Sequence, residues 1–256
     1  MSEAIDLRNV RAHVSAEEWR VRVDLAAAYR LVAHYGWDDM IFTHLSARVP
    51  GHNEHFLLNP FGMLFEEVTA SNLVKVDMNG TLVDGSNQFI NAAGFTIHSA
   101  VHMSRHDAQA VMHLHTDAGV AVSCMADGLL PLNQHALFVH HDVAYHGWEG
   151  VALNLDERER LIADVGQKHL VILRNHGTLA LGDSIGSCFL RLYYLERACA
   201  IQVGALAGGA LHPITDGAAE FMRKQMGPAQ AWAGMGAIAW PALLRLAQRR
   251  SPGFDQ

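Results

Sequence analysis

Ala110-Val-Met-His-Leu-His-Thr116 sets the reading of the whole chain. Apolar and β-branched residues lead into two histidines spaced two apart, the pattern of a strand. Residues two apart in a strand share a face, so His113 and His115 project together. A second apolar strand, Leu170-Val-Ile-Leu-Arg-Asn-His-Gly177, ends in His176 and a turn glycine. Three imidazoles with an open fourth position are the ligand set of a catalytic rather than a structural metal site. His113, His115 and His176 are therefore the candidate ligands of one divalent ion. Zinc is expected first, and manganese, iron(II) or cobalt suit the same neutral imidazoles. The competing reading leaves two strand histidines in solvent and the third in a turn.

Working outward, the flanks read as alternating helices and strands. Ser15-Ala-Glu-Glu18 is a capping box opening a helix to about His34, ended by Gly36. Strands are expected around 41–49 and 56–59, and Val74 to Val83 alternates on both sides of Asn79-Gly80 as a hairpin would. A helix over 94–104 precedes the His113 strand, and Thr116 or Asp117 caps the next helix, through Met125. A short strand over 142–145, an amphipathic helix over 156–168 and the strand over 170–173 follow. Asp183 is the expected cap of a long helix reaching about Leu206, broken by Gly208-Gly209 and Pro213. The tail from Asp216 shows little periodicity until Trp240-Pro-Ala-Leu-Leu-Arg-Leu246. With no linker, repeat or low-complexity tract, residues 1–256 read as one α/β domain with a mixed, largely antiparallel sheet covered by helices.

The bulk properties agree with a globular chain. Of 256 residues, 50% are hydrophobic and 18% charged, enough for a large core. A net charge of −7 argues against a nucleic-acid backbone as partner. No apolar run approaches the roughly 20 residues that cross a bilayer. The amino terminus lacks a basic start followed by an apolar stretch. Cys124, Cys188 and Cys199 lie in apolar segments without CxxC spacing, which suits reduced, buried thiols and a cytoplasmic location. Seventeen histidines include His98, His102 and His106 at every fourth position, on one side of a helix.

Together these motifs resemble the class II aldolase/adducin family. The resemblance runs from about Glu18 to Gly209, the core, and is weaker over the tail, 210–256, at Trp240 to Arg245. It rests on His113-Leu-His115 and Arg174-Asn-His-Gly177. Phe56 to Gly62, Val68 to Lys75 and Ala93 to Ala100 look closest to the adducin-like branch. It implies a three-layer α/β/α fold, a homotetramer of fourfold symmetry, and a metal near a subunit interface. The departures say more. Sugar-phosphate aldolases of the family hold phosphate with an Asn on the loop matching Thr43 to Arg48, a Ser-Gly after a proline, and a Ser-Ser pair. Here these positions read His44, Phe61-Gly62 and Ala92-Ala93. Phosphate recognition needs several aligned donors or cations, so a phosphorylated sugar is a poor substrate. The acid/base glutamate that follows the Ser-Ser pair is replaced by Gly94. The family's carboxyl-terminal tyrosine is missing too, since Tyr194 is the last tyrosine.

These replacements make His44, Phe61, Gly62 and Gly94 the candidate substrate-binding positions. His98, one helical turn beyond Gly94, is the candidate proton donor or base, the alternative being that it packs against the sheet. Arg48 and Asn175 are candidates for orienting substrate, or in the arginine's case for an ion pair. The expected function is a metal-dependent carbon–carbon lyase, a decarboxylase or a retro-aldol enzyme, on a small unphosphorylated hydroxy or oxo acid with an apolar or aromatic end. A non-catalytic adducin-like interaction module and an iron-dependent oxygenase on the same three histidines are the alternatives.

Overall fold

The computed structural model of the protein describes residues 10–226 and 230–256. A short helix, α1 (Val10–His13), precedes α2 (Ala16–His34), where the Ser15 hydroxyl accepts the Glu18 amide at 3.1 Å. The reciprocal half of the capping box does not form. The Glu18 carboxylate accepts from Arg22 and Lys75 instead, at 3.0 and 2.7 Å, matching the charge of a buried guanidinium.

Three strands follow, β1 (His44–Val49), β2 (His52–Leu58) and β3 (Val74–Asp77), and then α3 (Ala92–Ser104), β4 (Ala110–Leu114), α4 (Asp117–Ser123) and α5 (Gln134–Val139). The second half holds β5 (Val143–His146), α6 (Glu157–Val165), β6 (Leu170–Leu173), β7 (Gly177–Gly182), α7 (Ile185–Ala207), α8 (Asp216–Met226) and α9 (Gln230–Arg250). Among the described residues the strands form one seven-stranded sheet, ordered β3-β2-β1-β4-β7-β6-β5. It is antiparallel except where β5 lies beside β6.

Strand alternation sorts the side chains between two helical layers. Leu45, Ala47, Met112, Leu114, Ile172 and Ala180 point to one face, packed against α2, α4, α5, α7 and α9. Val111, Val171, Leu179 and Leu181 point to the other, covered by α3 and α6. His44, Ser46, Arg48 and His113 occupy that second face by the same period of two. Antiparallel pairing sets His44 directly opposite His113. The three-layer mixed α/β expectation therefore holds.

Local differences have local causes. The sequence reading ended a strand at Leu173 and went straight to a helix, so it passed over β7, whose two glycines dilute the strand signal. Asp77 accepts the amides of Asn79 and Thr81 at 2.8 and 2.9 Å, which turns the chain at Gly80. The expected second hairpin arm contributes a single bridge, Val76 to Leu82. Ser184, not Asp183, caps α7, and His106 lies beyond the end of α3. Cys188 and Cys199 are buried, but Cys124 is exposed at the end of α4. The weakly periodic tail is helical: α9 packs on α7 and α2, and Trp232, Trp240, Ala247 and Phe254 join the larger core. Trp240 donates its indole N–H to Asp24 on α2 at 2.9 Å.

Candidate metal centre

His113 sits within β4, His115 just past its end, and His176 in the turn from β6 to β7. The turn is held in a fixed shape. Asn175 adopts a left-handed backbone (φ 57°), its amide donates to the Ser123 carbonyl at 3.2 Å, and the His176 amide donates to the Ser123 hydroxyl at 3.2 Å. Asn175 thus shapes the turn and is not among the residues lining the pocket. Gly177 lets β7 approach β4, since a β-carbon there would overlap the Leu114 carbonyl oxygen. The ring centroids of the three histidines then lie 4.7–4.8 Å apart, and one nitrogen from each falls within 4.8 Å of the others.

The hydrogen bonds behind two of these rings test whether a metal fits. His113 Nδ1 lies 2.9 Å from the Thr178 carbonyl oxygen, and His115 Nδ1 lies 3.0 Å from an Asp39 carboxylate oxygen. Both partners only accept, so each Nδ1 carries the hydrogen and each ring offers a bare lone pair at Nε2. Those two Nε2 atoms face each other at 2.9 Å. Two lone pairs at that distance repel unless a cation lies between them. Tetrahedral zinc with its usual bond length would place them about 3.3 Å apart, a small adjustment. Burial first, then His176, His115 and His44, keeps His113 well below the usual imidazole range. Burial, His115 and His146 lower His176 to about 4. Both rings are thus neutral, as ligation requires.

The triad opens into a cavity of about 360 Å³ whose wall includes Phe42, Phe61, Ile97, Trp148 and Val151. Among the described residues no lysine or arginine lines it. His44, Phe61 and Gly94 line the wall; Gly62 and His98 do not. Thr43 is a further wall residue, with a left-handed backbone (φ 64°) and a buried hydroxyl that has no partner among the described residues. Strain of this kind in a β-branched residue collects at functional sites.

His44 and Gly94 explain each other. A β-carbon on Gly94 would overlap the His44 ring, Nε2 first. The imidazole fills the space in which any side chain at position 94 would begin. Gly94→Ala is therefore expected to cost about 1–3 kcal/mol by overpacking. In a His44→Ala background that cost should fall by more than half, as urea unfolding of the two single variants and the double variant will measure.

Behind His44 lies a buried polar chain. His44 Nδ1 is 3.1 Å from His98 Nε2, His98 Nδ1 is 2.6 Å from Ser46 Oγ, and Ser46 Oγ is 2.8 Å from His102 Nε2. His98 thus contacts the sheet and reaches the cavity only through His44. Burial, helped by His102, holds His98 at about 3; burial and the Arg48 guanidinium hold His102 at about 3. Arg48 is buried away from the cavity and donates to the carbonyls of Asn53 and His102, so it neither orients substrate nor forms a surface ion pair. Sequence reasoning missed Asp39, Ser46 and His102 as partners. Ser46 had a detectable signal, its alternation with His44; Asp39, in an irregular loop, had none.

Three imidazoles at the rim of an apolar cavity, on a mixed sheet between two helical layers, define an α/β protein with a candidate metal site. The comparisons give the class a family. The chain belongs to the family described as Class II Aldolase and Adducin N-terminal domain, which matches residues 23–203. It is 55% identical over 253 residues to a Caulobacter vibrioides protein provisionally named a class 2 aldolase, covering 98% of each chain. It is 46% identical over 190 residues to mouse alpha-adducin, covering 73% of this chain and 26% of the adducin. Among solved structures, an aldolase II superfamily protein from Pseudomonas syringae matches with a TM-score of 0.89 and 50% identity, over 96% of this chain and 99% of that one. L-fuculose 1-phosphate aldolase from Glaciozyma antarctica PI12 matches with a TM-score of 0.81 and 32% identity, over 93% and 94%.

Proposed function

We propose that the protein is a metal-dependent carbon–carbon lyase of retro-aldol type, acting on a small unphosphorylated hydroxy or oxo acid with an apolar or aromatic end. The observation that carries this reading is the pair of bare Nε2 lone pairs facing each other at the cavity, with the His44 ring on the same wall. His113, His115 and His176 would hold a divalent ion, zinc in the first instance, which would supply Lewis acidity to the reaction.

The chain's own residues divide the remaining work. Nδ1 of His44 is engaged by His98, which leaves Nε2 free of any protein partner among the described residues. Nε2 is placed to accept a hydroxyl proton as the carbon–carbon bond breaks and to return it to carbon afterwards. His98 acts behind His44. Phe42, Phe61, Trp148 and Val151 keep water from the apolar end of the substrate, and the unpaired Thr43 hydroxyl offers one polar contact. With no cationic side chain on the wall, a phosphoryl group would find few partners. Decarboxylation would use the same ligands but needs only a proton donor, so His44 as a base favours the retro-aldol reading.

The likeness to alpha-adducin favours a second reading, a non-catalytic interaction module. Metal analysis of protein purified without chelator, with a panel of hydroxy and oxo acids assayed for aldehyde, CO₂ and oxygen uptake, separates the readings. The expected result is near-stoichiometric metal and metal-dependent aldehyde release. Traces of metal and no turnover would favour the module. Stoichiometric iron with oxygen uptake would favour the oxygenase, and CO₂ without aldehyde the decarboxylase. Exposed Met40, Leu64, Phe89 and Trp148 fit a homo-oligomer, a tetramer by family likeness. The packing of α9 on α7 and α2 supports reading the described residues, 10–226 and 230–256, as one unit. No helix among the described residues is long and apolar enough to cross a membrane.

A further inference from the structure

We propose that His44, His98, Ser46 and His102 form a buried proton relay whose three rings always share one tautomer, so that the state of His102 dictates whether His44 meets the substrate as base or as donor. This rests on the lyase reading above for its use, but not for its existence.

The geometry permits two complete arrangements of the chain. Ser46 has a single hydroxyl hydrogen and links two ring nitrogens, at 2.6 and 2.8 Å. If His44 donates from Nδ1 to His98 Nε2, His98 must hold its hydrogen at Nδ1 and donate to Ser46. Ser46 then donates to His102 Nε2, and His102 carries its hydrogen at Nδ1. All three rings are Nδ1–H, and His44 offers a lone pair at Nε2. Reversing every bond makes all three rings Nε2–H, and His44 then offers a hydrogen. No ring changes charge between the two, which suits side chains that are 0–4% exposed.

The far end of the chain is equally informative. His102 Nδ1 is buried and makes no hydrogen bond of normal geometry among the described residues, although the Ala108 backbone lies close enough to raise the ring's affinity for a proton. His102 also lines a second cleft, of about 510 Å³, together with Asn53, His55, Asp77 and Asn79. His44 lines the first. The relay therefore spans the layer between two clefts.

Protons balance along it. When His44 Nε2 takes a substrate hydroxyl proton, its Nδ1 hydrogen passes to His98 Nε2, the His98 Nδ1 hydrogen to Ser46, the Ser46 hydrogen to His102 Nε2, and the His102 Nδ1 hydrogen to water. When His44 gives its hydrogen to the product carbon, each transfer reverses and His102 Nδ1 regains a proton from water. A reaction that borrows a proton and returns it closes this cycle with no ring turning. Passing protons in one direction along the chain, turnover after turnover, would require the rings to turn between cycles. His44 is wedged against Gly94, and His102 is stacked on Phe56 at 4.9 Å, which opposes that.

Solid-state ¹⁵N NMR of zinc-loaded, ¹⁵N-histidine protein separates protonated from bare ring nitrogens. Signals are assigned by single His→Gln variants, or by through-space transfer across the 3.1 Å His44–His98 contact if a variant does not fold. The expected result is one shared tautomer for His44, His98 and His102, in the loaded and the chelator-stripped protein alike. A His102 tautomer opposite to that of His44 and His98 would mean that Ser46 merely accepts from both sides, and the relay would be overturned. Failure to take up zinc would sink the lyase reading and leave the tautomer result standing.

Discussion

His115→Ala is expected to strip the bound metal while leaving the fold intact. The ring lies beyond the end of β4 and is only partly buried, so its loss opens no large cavity. It removes one of three donors and leaves the His113 lone pair without its counterpart. Asp39→Ala provides the graded control, because it removes only the carboxylate that fixes the His115 tautomer. Losing such a partner typically costs about 10–100-fold in metal affinity. His115→Ala should exceed that range, and turnover should vanish with the metal. Metal content and circular dichroism on the same samples decide the matter. Unchanged metal content in His115→Ala would show that the ion is held elsewhere.

Mild acid is expected to destabilise the metal-free protein strongly. His98 and His102 are held at about 3 by burial, whereas an unfolded histidine titrates near 6.5. Between these values the unfolded chain binds protons that the folded one refuses. Stability is therefore full above about pH 6.5 and drains as pH falls toward 3. From pH 7 to pH 5 these two rings alone remove about 4 kcal/mol, a large share of a typical domain's stability. Urea midpoints at pH 7, 6 and 5 measure it. A midpoint that stays flat across this range would contradict the burial of both rings in neutral form.

The sequence made the sheet and the clustering of the three histidines readable because strand alternation is a local signal. His113 and His115 share a face by period, and His176 closes an apolar run before a glycine. The Gly94 replacement was equally visible, but its counterpart was not. Only the pairing of β1 with β4, and the placement of α3 across that face, brings His44 into the space beside Gly94. Spacing along the chain pointed to His98, one turn away, whereas contact across the sheet places His44 beside Gly94, which makes His44 the proposed base. The helices of the tail were not legible for a related reason: α9 owes its order to packing on α7 and α2 rather than to a clear apolar stripe of its own.

The exposed thiol at position 124 gives the molecule an unplanned handle. Among the described residues it is the only cysteine at the surface, and its neighbour Ser123 grips the turn that presents His176. A fluorophore attached there would sit one residue from that grip. Its emission would follow ion uptake in real time, with no need to know what the protein turns over.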